Sequence, residues 1–125
     1  MKKQQFGAGI WHFATYVDRY ATDGYGEPRS VLDAIELAGK VKDLSVVDIN
    51  YPYFGGNFTN EEIKTSLDKA NLNVIGITPE IYTKEFRKGA FTNPDPGVRN
   101  RAHELITQAC DAVRFFNAAY VKLWP

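Results

Sequence analysis

The sequence has one cysteine, two histidines and no excess charge of either sign, and each shortage removes a class of explanation. A lone Cys110 excludes a disulfide within the chain and a thiolate metal cluster, and makes the reducing cytoplasm the simplest compartment to expect. Fifteen basic residues balance fifteen acidic ones without long runs of either, so there is no electrostatic footprint for nucleic acid or an anionic membrane surface. No stretch approaches the roughly 18 apolar residues of a membrane span. The opening MKKQQFGAGIW carries two lysines but no apolar run of signal-peptide length. His12 and His103 lack metal-ligand spacing of the HExxH kind. Dinucleotide GxGxxG, phosphate-loop, GxSxG and CxxC patterns are missing too, which takes the usual support from nucleotide-driven and serine-hydrolase readings.

What is present is 125 residues, 44% of them hydrophobic, enough for one domain with a core. FGAGIWHF, residues 6–13, reads as a strand. After a loop rich in Tyr, Asp and Gly, Pro28 suits the first turn of a helix running to about Val41, with Val31, Ala34, Ile35, Ala38 and Val41 on one face. LSVVDIN, residues 44–50, is a β-branched second strand. Thr59 with Glu62 forms a capping-box signature for a second helix carrying Ile63, Leu67 and Ala70 at helical spacing. LNVIGIT, residues 72–78, is a third strand. Asp95 and Pro96 open the longest helix, which reaches about Phe116 and packs through Val98, Ala102, Leu105, Ala109, Val113 and Phe116. AYVKLW, residues 119–124, is the fourth strand.

The order βαβαβαβ predicts an α/β fold with a parallel sheet and right-handed crossovers. Within the strands one row is apolar (Val47 and Ile49; Ile75 and Ile77; Val121 and Leu123). The other row holds Asp48 and Asn50, then Gly76, Thr78 and Glu80, then Lys122 and Trp124. A doubly wound sheet buries both faces under helices and reads as near-continuous apolar strands; these strands do not. A barrel encloses one face, and its polar groups gather at the C-terminal strand ends. Eight units need about 250 residues, so four strands and three helices predict half of a TIM barrel over residues 1–125. Such a half is completed by further sequence or by another copy of the chain; a small open α/β sheet is the alternative.

Candidate site residues follow from this geometry. Trp11 offers an apolar wall for a sugar, and His12 is the candidate catalytic proton carrier. Asp48 needs a cation or a hydrogen-bond network if it faces inward, and Lys122 is a possible partner across the interior, unless the two merely brace strands. Asn50, Glu80 and Trp124 complete the substrate-binding set, Glu80 having a solvated loop glutamate as its alternative. His103 reads as a surface residue of the long helix.

FGAGIWHF, VVDINYP, the loop KGAFTNPDPGVRNRA and the terminal YVKLWP together resemble the N-terminal half of the xylose-isomerase-like barrel superfamily, in its sugar isomerase and epimerase branch. That resemblance implies metal-dependent aldose–ketose isomerisation or epimerisation of a monosaccharide or similar polyol-carbonyl compound. It implies a divalent metal, Mn²⁺ or Mg²⁺, whose ligands come from the later strands and are absent from this chain. Trp11 and His12 carry over as pocket residues. Asn50 stands where related sequences often have a histidine, and an asparagine orients a hydroxyl but is no ordinary general base. On this expectation the isolated chain is inactive. A self-assembling half-barrel scaffold is the second reading, and a metal-dependent endonuclease of the same barrel class a third, weakened by the missing basic groove.

Overall fold

The computed structural model describes residues 4–15, 17–21 and 23–124; Pro125 lies outside them. Four strands, β1 (Phe6–Gly9), β2 (Leu44–Tyr51), β3 (Asn73–Pro79) and β4 (Tyr120–Val121), alternate with three helices, α1 (Val31–Gly39), α2 (Asn60–Ala70) and α3 (Pro96–Phe116). The strands form one parallel sheet in the order β1-β2-β3-β4. Sequential order without a reversal is how a singly wound barrel wall is laid down, and the α/β architecture agrees with half of a barrel.

Local chemistry explains the helices. Thr59 Oγ1 accepts from Glu62 N at 3.2 Å while Glu62 Oε2 accepts from Thr59 N at 2.8 Å, closing the expected capping box. Asp95 caps α3 by accepting from Gly97 N at 2.8 Å, with Pro96 in the first turn. Helix α1 starts later than expected. Its cap is Ser30, boxed with Asp33, because the aspartate at the third helical position can reach back as a glutamate would; Pro28 stays in the loop. The helix also stops at Gly39, which leaves Val41 44% exposed instead of on the packing face.

One apolar layer joins the helices to one sheet face. Ile10, Val31, Ala34, Ile35 and Ala38 meet Val47, Ile49, Ile63, Leu67, Val74, Ile77, Ala109 and Ala112, all buried. Burial of this kind contributes about 25 cal/mol per Å² of apolar surface. Val74 takes the place expected of Ile75, because the β2–β3 register slips between Val47 and Asp48 and leaves Ile75 as the extra residue. A second cluster, Ile81, Phe86, Ala90, Ala102 and Leu105, seats the loop after β3 on the first half of α3.

Two strands are shorter than their sequence suggests. Beyond Gly9 the chain turns into a 3-10 segment, Ile10–Phe13, so Trp11 and His12 sit on a turn and strict strand alternation no longer governs them. Strand β4 pairs with β3 only through Tyr120 and Val121, although the Lys122 amide still donates to Ile77 O at 2.9 Å.

Candidate functional site

The face turned away from the helices carries the polar row. Asp48 and Asn50 are buried at 5% and 3% exposure, and β2 pairs them with Gly76 and Thr78 of β3. Thr78 Oγ1 donates to Asp48 Oδ1 at 2.6 Å. Lys122 Nζ stands 3.6 Å from Asp48 Oδ2 and 4.0 Å from the centre of the Trp11 ring. Strands β1 and β4 are three spacings apart, about 14 Å along a flat sheet. A lysine at the end of β4 that meets a tryptophan just past β1 requires the polar face to be concave.

Glycines make room for rings on this face. Trp11 lies against Gly9 and Tyr120 against Gly76, so closely that a Cβ at either glycine would overlap the ring. Tyr120 shares the inward row with Lys122, and partial burial first, then the Asp48 carboxylate, raise its phenol above the usual tyrosine range.

At the C-terminal strand ends a cavity of about 200 Å³ opens, walled by Trp11, Asn50, Phe54, Glu80, Tyr82 and Arg29 with neighbouring loop residues. Its loops are tied down locally. Gly55 adopts φ +80° directly over Ser30, where a side chain would strike the backbone, and Phe54 O accepts from Val31 N at 3.0 Å. Asn50 Nδ2 donates to Tyr82 Oη at 2.6 Å, while Asn50 Oδ1 is buried without a hydrogen-bond partner among the described residues. Burial pushes the Glu80 carboxyl up to about 7, so it holds or releases a proton near neutrality.

Of the residues named from sequence, the structure brings Trp11, Asn50 and Glu80 together in the cavity wall. Asp48 and Lys122 pair on the concave face below it. Trp124 is 54% exposed, with its ring 6.1 Å from that of Tyr82. His12 is exposed, its ring 5.9 Å from Trp11's, and it is not among the cavity-lining residues. His103 is exposed on α3 beside Phe91. Sequence reasoning missed Tyr82, which lies past β3 in a loop with no periodic signal. It missed Tyr120 although alternation from Lys122 marks it as inward.

The loop most specific to the family resemblance has a structural function. Asn93 is buried, donates to Gly89 O at 2.8 Å and accepts from Asp95 N at 3.0 Å. Arg99 binds the carbonyls of Asn93 and Pro94. These bonds set where α3 begins.

The residues present do not fit a divalent ion. Among the described residues no three His, Cys, Asp or Glu side chains converge as a ligand set. Asp48 already faces an ammonium, and burial raises the Glu80 carboxyl to about 7, so it is only partly ionised near neutrality. No helix among the described residues is long and apolar enough to cross a membrane.

No protein-family model matches the chain. The chain is similar to a xylose isomerase from Thermus thermophilus, 25% identical over 135 residues. The match covers 98% of this chain and 34% of the relative, so the chain spans about a third of the length of the curated protein it matches.

Proposed function

We propose that the chain forms the N-terminal half of a sugar isomerase or epimerase barrel of the xylose-isomerase type, working in the cytoplasm, where it supplies pocket walls and hydroxyl-orienting groups. The observation that carries this reading is the cavity at the C-terminal strand ends, where an indole, an amide, a phenol and a carboxyl converge. A sugar ring presents C–H faces and hydroxyls, and that set complements both. The likeness to a xylose isomerase supports the same substrate class.

In this reading Trp11 packs on the C–H face of the ring and excludes water. Asn50 Oδ1, buried without a donor, accepts from a substrate hydroxyl. Glu80, poised near neutrality, donates to one hydroxyl when protonated and takes a hydroxyl proton when ionised. The divalent ion of such reactions would polarise a carbonyl, and residues beyond those described would have to hold it. The 125-residue chain alone is therefore expected to turn over no aldose or ketose.

The test is titration of the chain with D-xylose and other monosaccharides while the Trp11 indole N–H is followed by NMR. Pentoses should shift that signal in wild type, and the shift of the remaining cavity resonances should vanish in Trp11→Ala. A full monosaccharide panel that moves no cavity resonance refutes the reading.

The second reading, a half-barrel completed by another copy, is favoured by one observation. Phe6, Tyr120, Leu123 and Trp124 are exposed by 42–55% at and just beyond the two edge strands, and uncovered edges invite pairing. Light scattering distinguishes the two readings.

A further inference from the structure

Asp48 and Lys122 are the charged pair of the concave face, yet neither lines the cavity. Trp11 does, and the Lys122 ammonium lies over its ring at 4.0 Å. We infer that Lys122 is a positioning residue: anchored by Asp48, its ammonium fixes the Trp11 indole against Gly9, so β4 shapes a cavity wall that it does not itself line.

The chain of contacts runs through three strands. Thr78 fixes one oxygen of Asp48 by a 2.6 Å bond. The other oxygen is buried and faces Lys122 at ionic-contact distance, with the Tyr120 phenol also directed at the carboxylate. The Lys122 side chain is 37% exposed, so without Asp48 its flexible stem would carry the ammonium to water. The backbone bond from Lys122 N to Ile77 O holds the base of that stem. Trp11 sits on a 3-10 turn instead of a paired strand, so no ladder partner fixes its direction. Packing against the edge of the apolar core and against Gly9 seats one side of the ring, and the Lys122 ammonium lies over its face. A partly exposed cation–π contact contributes roughly two- to fivefold in equilibrium terms.

The experiment has two arms on the full chain. The first follows the Lys122 ε-methylene protons and the Trp11 indole N–H by NMR in wild type and Asp48→Asn. Asparagine can still accept from Thr78 through its oxygen, while an amide NH2 replaces the oxygen that faces Lys122, so the ionic contact is lost and the Thr78 bond is kept. The ε-methylene signals should be displaced upfield by the ring current in wild type and return toward free-lysine values in the variant, with the indole signal moving in parallel. The second arm measures D-xylose affinity. Lys122→Met should weaken it about fivefold, and Lys122→Arg, which keeps the cation over the ring, should restore it to within about twofold.

The affinity arm rests on the sugar reading proposed above; the ring-current arm does not. Displaced lysine signals with no sugar binding would refute that reading and leave the positioning role supported. Lysine signals at free values in wild type would overturn the positioning role whatever binds. If Lys122→Met fails to fold, Asp48→Asn carries both arms.

Discussion

Replacing Gly9 by alanine tests the concave face at its tightest point. The backbone there is extended, φ −73° and ψ 133°, which alanine adopts without strain, so the usual conformational objection to replacing glycine does not apply. By itself the change would stabilise the chain by about 0.4–1 kcal/mol through the unfolded state. The added methyl, however, would stand 2.5 Å from Trp11 Cη2 and closer still to Cε2 and Cζ2. Carbon atoms settle about 3.5–4.0 Å apart, so the indole must retreat by about 1 Å or more and leave its place under Lys122. Overpacking of this kind costs about 1–3 kcal/mol, and the lost cation–π contact adds roughly 0.5–1 kcal/mol. A net destabilisation of about 1–3 kcal/mol should lower the melting temperature by several degrees, with a change in tryptophan emission. Gly26→Ala is the control, because a Cβ there meets nothing within 4 Å. Gly9→Ala melting with wild type, its emission unchanged, would refute the packing of Trp11 on Gly9.

Glu80 gives a pH dependence of definite sign. Its folded pKa is raised from 4.5 to about 7 by burial, so between those values the folded chain binds a proton that the unfolded chain has released. The stability from this group is fully present below about pH 4.5 and is lost as pH rises to about 7, amounting to roughly 3 kcal/mol. Denaturant titrations across pH 4–8 should show the decline, and Glu80→Gln should flatten it; an equal slope in the variant would show that another group is responsible. Thr78→Val keeps the shape of the side chain and removes the 2.6 Å bond to buried Asp48. The loss should be about 2 kcal/mol, seen as a lower urea midpoint, and an unchanged midpoint would mean that this bond contributes no net stability.

Features encoded within a few residues were legible from the sequence. The Thr59–Glu62 box and the Asp95–Pro96 start concern a single turn of chain, and both appear where the sequence puts them. Row alternation in β2 likewise predicted that Asp48 faces inward and that Lys122 can reach it, because a period of two survives wherever the strand is regular. Legibility failed where regularity did. The 3-10 turn after Gly9 uncouples Trp11 from strand alternation, and the slipped register at Val47/Asp48 exchanges Val74 for Ile75 in the core. The contact between Trp11 and Lys122 joins residues more than a hundred positions apart. It depends on the curl of the sheet, which no local pattern records.

Strand β2 divides its labour along its length. Two buried side-chain oxygens on its inner face, Asp48 Oδ2 and Asn50 Oδ1, lack hydrogen-bond donors among the described residues, and each such group costs stability unless something compensates it. Asp48 is compensated from within the chain by the Lys122 ammonium. Asn50, one pleat nearer the C-terminal end, binds Tyr82 through its nitrogen, and its oxygen has no hydrogen-bond partner among the described residues. Turning the amide over does not help, since either orientation leaves one of its polar ends unmatched. The residue that the fold satisfies lies outside the cavity wall, and the residue that it leaves unsatisfied lies in it. That is the distribution expected of a strand whose middle holds the wall together and whose C-terminal end meets a ligand. If the proposed sugar reading holds, Asn50 is the β2 residue whose substitution should weaken sugar binding more than folding, measured as D-xylose affinity against urea midpoint.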